Sequence, residues 1–342
     1  MCFEPSLEGL TVVSGPNGSG KTSLLEAIAY ASTLRSMRGS PRESLVRDGA
    51  KGALLRVGSV EGSHLSLVEI GIVPGRRDQV LLDHQRLTRV SSLVESLRVT
   101  VFMPDDLSLV KGGPRERREY LDSILEAVRP LLARTTQGYE RTLRQRNMLL
   151  HQASSHPSTE LLGTLDVWDE RLVELGNELA LAREWAVGLL SARVGVAFDH
   201  LTGSNDQVRL SYRRSFGADL GAAVREARRE DLRRQVSSVG PHHDDLEVQV
   251  GGLDARTKLS QGRQRAMAIA LRLGGHRLVH ERVGTAPVVL LDDALSELDT
   301  ATASALMAQV VDTQAILTTA LDVLPSTSVA KVVRLVGGTI VP

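Results

Sequence analysis

Eight consecutive residues, Gly15, Pro16, Asn17, Gly18, Ser19, Gly20, Lys21 and Thr22, have the makeup of a phosphate cradle. Glycines let the backbone turn tightly enough for several N–H groups to face one anion, and a helix start behind them adds its dipole. In such a loop the Lys21 ammonium reaches the β- and γ-phosphates and the Thr22 hydroxyl holds Mg²⁺. A second chemical group lies far along the chain, where the apolar run Pro287-Val288-Val289-Leu290-Leu291 ends in Asp292 and Asp293. A carboxylate at the mouth of a buried strand is where a nucleotide's metal is held. Asp292 is read as that metal acid, and Asp293 as the group that orients or deprotonates an attacking water. The paired acids are weak evidence alone; together with the loop they specify a nucleoside triphosphate.

Those groups need particular elements to position them. Leu10-Thr11-Val12-Val13 is short, apolar and β-branched, as a buried parallel strand is, and Leu24, Leu25, Ile28 and Ala31 then recur at helical spacing. A strand, a glycine turn and a helix is the context the loop requires. Residues 52–90 alternate in strand fashion between turn signals at Glu61-Gly62 and Pro74-Gly75, which predicts an antiparallel meander. Val99-Thr100-Val101-Phe102 reads as another buried strand.

From Arg115 the pattern becomes helical, with an apolar stripe through Leu121, Ile124, Leu125, Val128, Leu131 and Leu132 that Pro130 must kink or divide. Tyr139, Leu143 and Leu150 continue it, and Ser154-Ser155-His156-Pro157-Ser158 reads as a loop. Leu172, Leu175, Leu179, Ala182, Ala186, Leu189 and Val196 form a coiled-coil-like seam broken by Arg193, too short for a long arm. The mixed charges of residues 225–234 read as a solvated helix face. Strand alternation returns at Leu246, Val248 and Val250, and the last third runs helix, strand, helix, strand. The organisation is α/β: a head formed by 1–114 and 236–342, split by a helical lobe at 115–235.

Composition narrows the function classes. Lys+Arg and Asp+Glu both number 41, so there is no global positive field and any nucleic-acid contact must sit on a local or assembled face. Aromatics at 3% argue against a stacking platform for single strands. Cys2 is the single cysteine, which excludes an internal disulfide or a cysteine-rich metal site. The adjacent His242, His243, Asp244 and Asp245 lack a further spaced ligand. No apolar run is long enough for a membrane span and no signal sequence is evident, so a cytoplasmic protein is expected.

Leu259-Ser260-Gln261-Gly262-Arg263-Gln264-Arg265 resembles the signature motif of ABC-type ATPases, in which a Ser and a Gly at a helix start grip the γ-phosphate. Ser296-Glu297-Leu298-Asp299 is similar to the D-loop of that class, and Thr318 or Thr319 stands where its switch histidine is usual. The resemblance implies a head that binds ATP and Mg²⁺ through the loop, Ser260, Gly262 and Asp299, and that pairs with a second copy so that each signature completes the other's site. Asp293 in place of the usual Glu is a methylene shorter, which implies slow hydrolysis, suited to a switch.

Ser260 lies more than two hundred residues after Lys21, where a transporter subunit would place it much sooner. That spacing fits the SMC-like branch, and within it the chain resembles the RecF family of bacterial recombination-mediator ATPases. The resemblance is carried by NGSGKTSLLEAI, VFMPDDLSLVKGGPRERREYLD, QRNMLL, VWDERLVELG, SVGPHHDDLEV and LLDDALSELD. It implies an ATP-dependent homodimer on double-stranded or gapped DNA that helps RecO and RecR deliver a recombinase, with Arg115, Arg117 and Arg118 as candidate DNA contacts. A transporter energiser or a clamp that does not act on DNA is the alternative class. Three departures from the family pattern stand out. His243 replaces the usual Arg, the signature differs after Gly262, and a strand with an aromatic- and Arg-containing segment is absent before the loop. That segment's absence is expected to weaken nucleotide binding or folding, and an upstream start would account for it.

Overall fold

The structure is a computed structural model describing residues 1–155, 158–320 and 328–341. In chain order it begins β1 (Leu10–Ser14), α1 (Lys21–Thr33), β2 (Ala53–Glu61), β3 (His64–Ile72), β4 (Gln79–Leu82), β5 (Gln85–Arg86), α2 (Ser91–Ser96) and β6 (Val99–Phe102). Next come α3 (Ser108–Lys111), α4 (Pro114–Val128), α5 (Leu132–Ser155), α6 (Thr159–Thr202), β7 (Val208–Arg213), α7 (Leu220–Arg234), β8 (Asp245–Val250), β9 (Leu253–Asp254) and α8 (Ala255–Lys258). The remainder is α9 (Gln261–Val283), β10 (Val288–Asp292), α10 (Thr300–Val310), β11 (Ala315–Thr319), β12 (Val329–Val336) and β13 (Thr339–Val341). The chain divides into two compact units, one of residues 1–107, 193–205 and 260–342, the other of 108–192 and 206–259.

The first unit is built on a six-stranded sheet ordered β13-β12-β1-β11-β10-β6. All neighbours run parallel except β12 and β13. Apolar runs choose this layout: every residue of β11 is buried, as are four of the five in β10 and in β1. With β1 between β11 and β12, its C-terminal end opens in the middle of the sheet, beside the ends of β10 and β11. Leu24, Leu25 and Ala29 of α1 pack with Val13, Leu290, Ile316 and Leu335. The expected meander is the separate antiparallel sheet β2-β3-β4-β5, whose inner face packs Val68, Ile70, Ile72 and Val80 with Tyr30, Leu93 and Leu97. β6 departs from expectation. It is an edge strand paired only with β10, and three of its four residues are half-buried.

The second unit joins helices to the three-stranded antiparallel sheet β7-β8-β9. Pairing with β7 places β8, assigned above to the head, in this unit. Pro130 falls between α4 and α5 and divides them. Leu172, Leu175 and Leu179 are buried with Tyr139, Phe216 and Leu220. From Arg183 onward the buried residues of α6 run through Val187, Leu190, Val194, Ala197, Phe198 and Leu201, so the expected Ala182 and Leu189 are only half-buried and Val196 is exposed. The loop expected at 154–158 is replaced by α5 as far as Ser155, and His156 and Pro157 lie outside the described residues.

Buried ion pairs hold this unit together. Arg146, wholly buried, bonds Asp169 at 2.6 Å, and Asp231 and Ser237 at 2.7 Å each. Arg183 is bidentate to Asp122 at 2.8 Å. Tyr139 Oη lies 2.7 Å from His242 Nδ1, and Nε2 of His242 and of His243 both approach the Ser237 carbonyl oxygen. Each ring donating there through Nε2 leaves Nδ1 of His242 to accept from Tyr139, so His242 is neutral. Burial, followed by the neighbouring His243, pushes its pKa down to about 4. The charged stretch of α7, read above as a solvated face, is so only in part: Arg233 and Arg234 meet Glu230 at the surface, whereas Asp231 is wholly buried against Arg146 and Arg228 reaches Asp169.

Candidate nucleotide site

The loop between β1 and α1 owes its shape to three glycines with positive φ, 155° at Gly15, 78° at Gly18 and 98° at Gly20. At Gly15 a side chain is impossible for a second reason, since a Cβ there would stand 2.1 Å from the Leu335 carbonyl oxygen. The turn between β12 and β13 supports the loop from behind: the Gly338 amide donates to the Ser19 carbonyl oxygen at 2.9 Å. Sequence reasoning missed this buttress. Its signal was Gly337-Gly338, both with positive φ, the residue pair that a tight hairpin turn demands.

The loop fits an anion by three independent features. The start of α1 has no capping side chain, and Gly20 stands at the cap with no acid in the first turn, so its N–H groups face outward unmatched. Ser19 Oγ is buried without a hydrogen-bond partner. Lys21 Nζ folds back onto the carbonyl oxygens of Gly15 at 2.7 Å and Pro16 at 3.1 Å, poised over the cradle. Pro16, Asn17 and Gly18 form the exposed crest.

At the sheet's mouth Thr22 Oγ1 donates to Asp292 Oδ1 at 2.9 Å, and Thr318 Oγ1 donates to the same oxygen at 2.8 Å. A hydroxyl and a carboxylate oxygen converging in this way are a hard-cation donor set of the kind Mg²⁺ takes when phosphate and water complete its shell. Among the described residues no group of three or more His, Cys, Asp or Glu could hold a metal without such help, and His242 and His243 belong to no such group. Thr318 is fully buried and pairs in register with Asp292, so its hydroxyl serves the acid instead of facing outward as a switch residue would. Thr319 is buried at the end of β11.

Asp293 leaves β10 in the left-handed region with φ 48°, where a non-glycine residue is uncommon and Asp and Asn are among the better tolerated. Its amide donates to Thr318, to the carbonyl oxygen at 3.2 Å and to Oγ1 at 3.1 Å, which fixes the backbone and leaves the carboxylate exposed. Strain at such a place is a mark of function when the surroundings enforce it.

Ser260 and Gly262 lie at the start of α9, both exposed. Ser260 occupies the cap position without making a capping bond, and a Cβ at Gly262 would meet open space. Asp299 is differently engaged. It caps α10, accepting from the Thr302 amide at 2.9 Å and the Thr302 hydroxyl at 2.8 Å, and those bonds hold its carboxyl below the usual range.

Of the candidate DNA contacts, Arg117 is not available to DNA. It is buried and bidentate to Asp245 at 2.7 and 2.9 Å. Arg118 donates to the Asp244 carbonyl oxygen at 2.8 Å, and exposed Arg115 bonds Glu119 at 2.7 Å. The Asp245 carboxylate thus claims Arg117, and the Asp244 backbone carbonyl claims Arg118.

The family model for the RecF/RecN/SMC N terminal domain matches residues 3–335. The DNA replication and repair protein RecF of Streptomyces avermitilis is 36% identical over 306 residues, covering 85% of this chain and 82% of that protein. Its counterpart from Frankia alni is 38% identical over 339 residues, covering 92% and 89%. The chain belongs to the RecF family. A solved structure of the recombination mediator protein RecF with ATP, from the RecFOR pathway, superposes with a TM-score of 0.88 at 26% identity, covering 97% of this chain and 91% of that one. The Smc head domain of Pyrococcus furiosus shares the fold, with a TM-score of 0.54 at 16% identity. RecF-family membership thus agrees with an ABC-type head interrupted by a helical insertion. No helix among the described residues is long and apolar enough to cross a membrane.

Proposed function

We propose that this chain is an ATP-dependent DNA-binding protein of recombinational repair and replication-gap processing. It dimerises on ATP at gapped or single-strand/double-strand junctions, helps RecO and RecR load a recombinase, and hydrolyses ATP slowly as its release switch. The observation that carries the reading is the meeting of Thr22 and Asp292 beside an uncapped, glycine-lined helix start. A bound triphosphate with Mg²⁺ supplies an electrophilic phosphorus and an anionic bridge between two copies. Gly15 to Gly20 offer backbone N–H groups to it, Lys21 compensates its charge, and Thr22 and Asp292 hold the metal. Asp293 orients or deprotonates the attacking water. Ser260 and Gly262 present the start of α9 to the partner's nucleotide, and the D-loop turn ending at Asp299 lies at the same interface.

The test is retention on gapped duplex DNA with and without ATP, paired with sedimentation of wild type and Lys21→Met. Wild type is expected to dimerise and to be retained only with ATP, with retention falling steeply as salt rises. Lys21→Met is expected to do neither. Dimerisation of Lys21→Met with the wild-type concentration dependence would overturn the reading.

A further inference from the structure

The first turn of α9 carries Ser260 and Gly262 at its exposed start, and one turn further in stands Arg265. Its guanidinium reaches across to the turn that follows β10. NH1 donates to the Glu297 carbonyl oxygen at 3.1 Å, and NH2 lies 2.7 Å from Glu297 Oε2. One side chain therefore grips both the backbone and the carboxylate of a single residue, a fork that an ammonium cannot reproduce. Glu297 itself belongs to a short self-bonded turn. The Ser296 amide and hydroxyl both donate to the Asp293 carbonyl oxygen, and the Leu298 amide donates to the Leu295 carbonyl oxygen. At the far end Asp299 caps α10. Residues 293–299 are thus tied together by their own hydrogen bonds, and Arg265 fastens that turn to the start of α9.

The exposure of this pair says what it is for. Arg265 is 29% and Glu297 49% exposed, and an ion pair so open to water contributes little to stability. Its consequence is geometric. It ties the Ser260–Gly262 backbone at the start of α9 to the Asp293 turn through a single side chain. We propose that Arg265 is a positioning residue: its contact with Glu297 holds the start of α9 and the Asp293–Asp299 turn in register, so that both meet a second copy of this chain together when nucleotide is bound. This rests on the ATP-dependent dimer proposed above.

The experiment compares wild type, Arg265→Ala, Arg265→Lys and Glu297→Gln for three quantities: affinity of the isolated monomer for a fluorescent ATP analogue, ATP-dependent dimerisation by sedimentation velocity, and thermal stability. The expected result for Arg265→Ala is a dimer dissociation constant raised by about tenfold or more, with nucleotide affinity and melting temperature close to wild type. Glu297→Gln keeps the backbone contact and loses less, and Arg265→Lys falls between wild type and Arg265→Ala. A simple structural role would instead lower melting temperature and dimerisation in parallel. If wild type dimerises on ATP and Arg265→Ala does so equally well, this proposal is overturned while the parent reading stands. If Arg265→Ala loses nucleotide affinity or stability to the same degree as dimerisation, the positioning role is likewise overturned. A wild-type chain that stays monomeric with ATP overturns the parent reading and this proposal with it.

Discussion

Thr22 Oγ1 and Asp292 Oδ1 stand 2.9 Å apart although 270 positions separate them in the chain. The hydroxyl begins α1, immediately after the glycine loop, and the carboxylate ends β10; β11 lies between β1 and β10 and adds Thr318 to the same oxygen. Three segments thus converge on one carboxylate oxygen.

Replacing Asp292 with Asn keeps the shape of this junction and removes its charge. Asp292→Asn is expected to weaken Mg²⁺-dependent nucleotide binding by about tenfold or more, the scale of losing one charge-assisted contact of roughly 1.5–3 kcal/mol. Titration of Mg²⁺ against a fluorescent nucleotide reads this directly. Unchanged metal dependence would remove Asp292 from the metal site.

Asp293 offers a cleaner separation of chemistry from folding, because Asn also tolerates the left-handed backbone found there. Asp293→Asn is expected to bind ATP and dimerise as wild type does while losing most of its hydrolysis, so that the ATP-bound dimer persists. Single-turnover hydrolysis and dimer lifetime are the measurements. Wild-type turnover in Asp293→Asn would assign the water to another group.

Gly15→Ala places a methyl against the Leu335 carbonyl oxygen in a backbone region that side chains avoid. The loop must shift, at a cost of about 1–3 kcal/mol, and nucleotide binding falls with it. Chemical denaturation with parallel nucleotide titration measures both.

In the second unit, Arg146→Ala leaves the wholly buried Asp231 carboxylate without its cation and Asp169 with only Arg228. Breaking one side of a buried pair costs about 3–5 kcal/mol, far above the cost of losing the exposed Arg115–Glu119 pair. Urea unfolding of Arg146→Ala beside Arg115→Ala tests the contrast, and equal midpoints would contradict it.

Acid should destabilise the fold through two buried histidines. Burial holds both His242 and His276 at about 4, against an ordinary value near 6.5. The unfolded chain takes up protons first, so this contribution is fully present above pH 6.5 and is lost as pH falls toward 4. Each residue accounts for roughly 3 kcal/mol over that window. The decline is followed by urea midpoints across pH, and removing His276 by His276→Gln is expected to flatten the curve.

The candidate site residues were legible because their signals are local. A glycine loop between an apolar strand and a helix, and an apolar strand ending in an acid, need only a few consecutive residues to specify φ, burial and charge. For the same reason the break at Pro130, the meander of β2 to β5 and the buried alternation of β8 could be read directly. The seam on α6 was legible as a helix face, but a coiled-coil spacing drifts off the 3.6-residue pitch, so the buried stripe runs through Arg183, Val187, Leu190, Val194 and Phe198, with Leu189 half-buried and Val196 exposed.

What the sequence by itself determined is the candidate chemistry: a phosphate loop and two adjacent acids at a strand end, proposed for the metal and for water, each set by residue type and short spacing. Tertiary structure alone decided how those groups are supported and which charges remain available. Whether Thr318 faces the solvent or the acid depends on the register of β11 against β10. The loss of Arg117 to Asp245 depends on a pairing 128 residues long. Register and long-range pairing are set by the packing of whole sheets and helices, and no single stretch of the chain encodes them.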